Sequence, residues 1–286
     1  MLFSFGHGYV ATALSRHLLA EGWAVTGTSR SRRTTEQMGG VAPLLWPGDD
    51  IAPALARATH LLVSAPPGET GDPLLAAHRA TIINSAPHLR WIGYLSTTGV
   101  YGDHGGARVD EDCPTLGQGP RNLARIEAES AWRALPDNPA QVFRLSGIYG
   151  PGRGPFVRLR AGEARRIVKP GHLFGRIHVD DITQVLLASM ADPRPGRIYN
   201  VADDEPAPGD EVITYAAGLL GITPPPEEPF ETAEMSLLAR SFYQGRRVIA
   251  NDRIKDELGI RLLYPGYREG LAAILRGEAD QALSPH

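Results

Sequence analysis

Leu2-Phe3-Ser4-Phe5-Gly6-His7-Gly8-Tyr9-Val10-Ala11 is a short apolar run that passes without a break into G-x-G-x-x-A. A helical pattern follows, with Val10, Ala13, Leu14, His17 and Leu18 sharing one face. The physical reading is a buried strand, a tight turn and a helix N-terminus. Gly6 allows the turn, Gly8 lets the backbone come close to a pyrophosphate, and Ala11 permits close packing of helix on strand. The free N–H groups at Gly8, Tyr9 and Val10, together with the helix dipole, favour an anion. An ordinary βα turn can carry the same spacing, so the dinucleotide reading rests on the strand before it and the helix after it.

Outward from that turn, Trp23-Ala24-Val25-Thr26-Gly27-Thr28 reads as a second strand, followed by Ser29-Arg30-Ser31-Arg32-Arg33. In NAD-binding folds this position places an Asp or Glu on the ribose 2′-OH. Here a 2′-phosphate would meet the Ser29 hydroxyl and the planar guanidinium groups of Arg30 and Arg33, with no carboxylate to repel it. The pattern favours NADP(H) over NAD(H), a solvated basic loop being the plain alternative. Ala42-Pro43-Leu44-Leu45-Trp46 reads as a third strand. After it, Gly48-Asp49-Asp50-Ile51 is either a surface turn or the place where Asp50 meets the adenine amino group. His60-Leu61-Leu62-Val63 is a fourth strand, and its small terminal residues Ser64, Ala65 and Pro66 leave room for a ligand over the strand end. Residues 72–86 read as a helix.

The whole chain sets the frame. Its 286 residues suffice for one large α/β domain or a core domain with a smaller appendage. At 42% apolar and 21% charged residues it has the composition of an ordinary globular protein. A net charge of −3 gives no reason to expect nucleic acid or an anionic membrane as partner. The lone Cys113 excludes an internal disulfide, and no Cys/His spacing suggests a metal. With strand one at the first residues and no long apolar run, a soluble cytoplasmic protein is expected.

Trp91-Ile92-Gly93-Tyr94-Leu95 is a fifth strand, and it runs into Ser96-Thr97-Thr98-Gly99-Val100-Tyr101-Gly102. A strand ending in S-T-T-x-V-Y-G resembles the extended short-chain dehydrogenase/reductases, the NAD-dependent epimerase/dehydratase family. Phe143-Arg144-Leu145-Ser146-Gly147-Ile148-Tyr149-Gly150-Pro151-Gly152 resembles the family's segment beside the nicotinamide. Arg176-Ile177-His178-Val179-Asp180-Asp181-Ile182 resembles its I-H-V-D-D stretch, and Arg197-Ile198-Tyr199-Asn200-Val201 its Y-N-V strand. The C-terminal part, with Gly245-Arg246-Arg247-Val248 and the segment from Leu263 to Leu271, is similar to an atypical branch. The resemblance implies a Rossmann-type, doubly wound parallel sheet over residues 1–150 and 176–202. Residues 151–175 and 203–286 would form a smaller substrate or cap region, with helices at 209–220 and 232–242 divided by the stiff Pro224-Pro225-Pro226 run. It also implies cofactor contacts at Ser96, Thr97, Ser146 and Ile148. Pairing through the helices near 72–86 and 120–135 would make a homodimer.

Relatives in this family work with a Ser/Thr, a Tyr and a Lys four residues after the Tyr. The Tyr moves a proton to or from the substrate oxygen, and the Lys lowers its pKa. Thr97 stands at the Ser/Thr position. Counting back from Ala128-Glu129 puts Arg121 at the Tyr position and Arg125 at the Lys position. The only lysines are Lys169 and Lys255, and neither has a Tyr four residues before it. Arginine stays protonated at neutral pH and cannot replace the phenol as an acid or base, although it can stabilise an oxyanion. Tyr101, Tyr149 and His178 come from segments near the expected cleft, as wall residues or as substitutes. Arg144, Arg246 and Arg247 would clamp an anionic small-molecule substrate or pair with surface carboxylates. Two functions follow: an NADP(H)-dependent oxidoreductase or nucleotide-sugar/carbonyl-modifying enzyme of non-standard mechanism, and a non-catalytic NADP(H)-binding redox sensor or partner-binding module. The missing pair favours the second; a cap rich in arginine favours the first.

Overall fold

The computed structural model describes residues 1–31 and 38–283. Seven strands form one parallel sheet: β1 (Leu2–Phe5), β2 (Val25–Ser29), β3 (Ala42–Leu45), β4 (His60–Val63), β5 (Trp91–Thr97), β7 (Gln141–Leu145) and β11 (Ile198–Val201). Their order is β11-β7-β5-β4-β1-β2-β3. The chain winds away from β1 in one direction through β2 and β3, and in the other through β4, β5, β7 and β11. The crevice between the C-terminal ends of β1 and β4 is therefore the topological switch point, where open α/β sheets bind ligands. The doubly wound sheet is the one expected from the sequence.

The central strands are apolar because both faces are covered. All four residues of β1 are buried, as are all four of β4. Successive side chains serve opposite cores. Leu2, Leu62 and Trp91 join Val10, Leu14 and Leu18 of α1 (Tyr9–Ala20) and Ile182, Val185 and Leu186 of the helix Val179–Ala191. Phe3, Leu61 and Ile92 join Leu74 and Ile82 of Pro73–Ser85 and Ala128 and Trp132 of α4 (Pro120–Arg133), taking the helices Ala52–Arg57 and Pro73–Ser85 as α2 and α3. Asp72 caps α3 by accepting from the N–H groups of Leu74 and Leu75, both at 3.0 Å.

A further apolar cluster joins Tyr149, Phe156 and Leu159 with Val212, Ala216, Tyr267, Leu271 and Ile274. It lies among the helices Pro155–Arg160 (α5), Gly209–Leu219 (α7) and Tyr267–Leu283 (α10), α6 being Val179–Ala191. Short parallel pairs link β8 (Gly147–Tyr149) with β10 (Arg176–His178), β9 (Arg166–Val168) with β12 (Glu227–Pro229), and β6 (Arg108–Val109) with β13 (Val248–Ile249). Ile254 of α9 (Asp252–Leu258) and Ile260 return to the main core rather than the cap cluster. The helix expected over 232–242 is shorter: α8 covers only Leu237–Ser241. Thr232 and Ala233 turn back onto Pro229 O, and Ser236 starts the helix by accepting from Ala239 N at 3.2 Å. Among the described residues no helix is long and apolar enough to cross a membrane.

Candidate functional site

At the switch point, Gly6 takes a positive φ of 80° and donates its N–H to Thr28 Oγ1 at 2.8 Å. A Cβ on Gly6 would lie 2.7 Å from Ala65 N, so the turn at β1 is closed against β4. Ser64 and Ala65 hydrogen-bond through their N–H groups to Phe5 O, and the Ser64 hydroxyl donates to Gly6 O. Gly8 is different. A Cβ there would meet only Gly6 O, at 3.8 Å, and α1 begins at Gly8 with no side-chain cap and no acidic residue in its first turn. The Gly8 N–H itself is donated to Gly6 O at 2.8 Å, and the N–H groups of the first helical turn after it have no side-chain cap, as an anion site requires. Tyr9 donates its hydroxyl to Pro151 O at 3.0 Å, and the Arg153 guanidinium lies 5.4 Å from the Tyr9 ring.

Ser29 ends β2, and Arg30 beyond it is exposed. Arg33, expected beside them, lies outside the described residues. His7 packs its ring against Gly27, where a Cβ would come within 2.8 Å, and burial holds its pKa below the ordinary value. Asp50 is exposed and accepts from Ala52 N at 3.0 Å, which fits the turn alternative; its second oxygen is left over. Pro66 follows the β4 end, and Ile148 packs half-buried against the main core.

At the end of β5 the sequence expectations need correction. Thr97 is half-buried, and its Oγ1 accepts from Gly99 N at 3.1 Å, capping the short 3₁₀ turn Thr98–Tyr101. Its own hydroxyl proton is left to donate. Ser96, expected to touch the cofactor, turns inward and bonds to Glu129. Arg144, expected to clamp substrate, is 4% exposed and bound to the same carboxylate, with Nη2 2.8 Å from Glu129 Oε2. Its guanidinium, from the next-to-last residue of β7, points into the layer between β7 and α4, not over the edge. Tyr101 is fully buried: it donates to Asn200 Oδ1 at 2.7 Å and accepts from Arg144 Nη1 at 2.9 Å. Burial pushes its phenol up to about 12, so it is no phenolate base at neutral pH, and its proton is committed to Asn200. Arg125 is likewise committed to the sheet, with Nη1 2.9 Å from Leu95 O and 3.0 Å from Tyr94 Oη. Only Arg121 of the two helix arginines is exposed, its guanidinium 5.8 Å from the Phe242 ring.

Tyr149 and His178 also leave the list of substrate contacts. Tyr149 is buried in the cap cluster, donates to Gly266 O at 3.3 Å, and leaves no room for a side chain at Gly270. His178 is buried between Tyr149 and Tyr264. Its Nδ1 accepts from Asp180 N at 3.2 Å, and burial keeps the ring neutral. Arg247 donates Nη1 to Gly102 O at 2.8 Å and is half-buried; Arg246 is exposed. The orphaned buried groups nearby are Ser146 Oγ and both carboxyl oxygens of Asp203. No group of His, Cys, Asp or Glu among the described residues is arranged to hold a metal ion.

Burial raises the Asp203 carboxyl from 3.8 to about 8, against the opposing pull of the Arg176 charge. The folded state keeps a proton that the unfolded chain releases, so this contribution is complete below pH 3.8 and is lost as pH rises through about 8. Asp203→Asn, neutral throughout, should gain on wild type progressively as pH rises from 5 and melt several degrees above it at pH 9. Parallel melting curves at both pH values would remove the buried-proton account.

No protein-family model matches the chain. A conserved protein of unknown function from Silicibacter pomeroyi has a solved structure that is 53% identical, with a TM-score of 0.92 over 97% of this chain and 98% of that one. Protein YeeZ of Escherichia coli K12 is 28% identical over 277 residues, 91% of this chain and 94% of its own. A provisionally named NAD-dependent epimerase/dehydratase from Methylobacillus flagellatus is 25% identical, with a TM-score of 0.70 over 97% and 98% of the two chains. The chain shares its doubly wound fold with epimerase/dehydratase structures, and the names of these similar proteins fit the extended short-chain dehydrogenase/reductases. A Streptomyces 3-diazoavenalumate denitrifying reductase is 30% identical over 57% of this chain and 58% of its own. Human epimerase family protein SDR39U1, solved with NADPH, shares the fold at 18% identity and a TM-score of 0.74, over 96% and 99% of the chains.

Phe242, which meets Arg121, comes from far along the chain, and its only sequence signal is a large apolar residue in a segment otherwise poor in core positions. Glu129, the hub for Ser96 and Arg144, entered the sequence reading only as half of an A-E landmark.

Proposed function

We propose that the chain is an NADP(H)-dependent oxidoreductase that reduces a carbonyl substrate. The observation that carries this reading is the open cradle at Gly8, over an uncapped helix N-terminus, with Arg30 at the end of the neighbouring strand. The reductase name of one relative and the NADPH complex of a fold neighbour support it. When bound, the nicotinamide would supply the hydride. The N–H groups of Tyr9 and Val10 would hold the pyrophosphate, with Gly8 leaving room for its approach, and Ser29 and Arg30 the 2′-phosphate. Thr97, its oxygen already occupied by Gly99 N, can donate its hydroxyl hydrogen to the substrate oxygen and fix the orientation of the carbonyl. Arg121 would stabilise the developing oxyanion with a permanent charge, and water would deliver the proton, because neither side chain exchanges one at neutral pH.

Arg30→Ala should raise the Kd for NADPH by roughly ten- to a hundredfold, the worth of a charge-assisted contact, and leave NADH within about twofold. Fluorescence titration with both nucleotides at one ionic strength checks this. Equal effects would remove the 2′-phosphate assignment.

A further inference from the structure

The cleft carries a patch for which nucleotide binding has no use. Leu237, Leu238 and Phe242 are 89%, 55% and 57% exposed, and Leu116 is 50% exposed. No residue of α8 is buried. Single exposed apolar side chains are normal; three within six residues, on a segment that meets the reaction centre, mark a binding surface. The segment is firmly seated at its base, where Tyr243 packs against Phe174 at 5.0 Å and Phe230 at 5.1 Å. Its placement follows from short contacts. Phe242 meets Arg121, Arg247 donates to Gly102 O, and Leu116 donates its N–H to Tyr101 O at 3.1 Å. Gly102 directly follows the turn that Thr97 caps. These contacts tie the shelf to the turn that Thr97 caps, so a molecule reacting at Thr97 has the shelf within reach.

Building on the oxidoreductase reading, we propose that this shelf receives the non-reacting end of the substrate, and that this end is an aromatic carboxylate rather than a nucleotide sugar. A flat ring can stack on Phe242 and the planar Arg121 guanidinium and cover the leucines. A carboxylate on the ring finds the exposed Arg246, four residues beyond Phe242 in the chain, while the N–H edge of Arg121 stays with the reacting oxygen. The hydroxyl groups of a sugar would instead be desolvated against leucine and phenylalanine side chains, which offer no hydrogen bonds.

The test uses 2-naphthoate, which has no reducible carbonyl under these conditions, titrated by its fluorescence into the full chain with and without NADPH. Wild type should bind it in competition with aromatic carbonyl acids and not with UDP-glucose. Leu238→Ser combined with Phe242→Ser, both exposed positions, should raise Kd roughly tenfold or more at an unchanged thermal melt. Arg121→Gln should raise it about fivefold. No binding by wild type, identical Kd values for wild type and the double variant, or displacement by UDP-glucose would each overturn the proposal. So would a dimer in sedimentation equilibrium that the double variant splits, with 2-naphthoate ignored, since the shelf would then face a second copy. Variant-sensitive 2-naphthoate binding in a protein that binds neither nucleotide would uphold the shelf and reject the dinucleotide reading.

Discussion

Gly8→Val should abolish binding of NADPH and NADH together, by a hundredfold or more, in a protein that melts as wild type does; losing two charge-assisted N–H contacts accounts for roughly that factor. The two glycines of the turn separate cleanly on physical grounds. Gly8 has an extended backbone, φ −104° and ψ −159°, that valine adopts without strain, and its Cβ would enter open space. The added methyl groups would then stand where a pyrophosphate must approach the helix N–H groups. Gly6 has φ +80° and a Cβ position 2.7 Å from Ala65 N, so Gly6→Val should cost the fold itself. Titrations and melting curves on both variants check the contrast. Retained nucleotide affinity in Gly8→Val would remove the pyrophosphate site.

Arg144→Met should destabilise the chain by about 3–5 kcal/mol, because it strands the Glu129 carboxylate in a buried layer. Glu129 is 4% exposed and Arg144 is also 4% exposed, with three contacts between Arg144 nitrogens and Glu129 oxygens. Replacing both residues with apolar side chains of similar volume should recover most of the loss, since a buried ion pair is worth little against good apolar packing. Urea denaturation of the single and double variants measures this. An Arg144→Met protein of wild-type stability with only a raised KM would return Arg144 to the substrate.

The sequence made the sheet legible because parallel strands buried on both faces must be apolar throughout, and Leu2–Phe5 and His60–Val63 are nearly so. The turn at Gly6 to Ala11 was legible for a related reason: backbone geometry there restricts the residue type. Side-chain direction at the strand ends was not. Ser96 and Thr97 are neighbours, yet alternation sends one inward to Glu129 and leaves the other at the cleft. Tyr101, Arg144 and Asn200 meet only because three strands bring together residues separated by 43 and 99 positions. No local pattern encodes such a meeting. Arg121 and Arg125 on α4, one helical turn apart, likewise diverge: Arg125 finds a carbonyl on β5, while Arg121 reaches the end of α8.

The bond from Tyr9 to Pro151 joins the first turn of α1 to the loop by which the chain leaves the sheet for the cap. A nucleotide held on that turn would therefore lie one hydrogen bond from the doorway of the substrate region. Linkage makes the influence mutual: whatever factor a bound nucleotide adds to the affinity for substrate, bound substrate adds to the affinity for nucleotide. Tyr9→Phe removes this tether, and the expected result is a smaller change in substrate affinity on adding NADPH, read from titrations with and without the nucleotide.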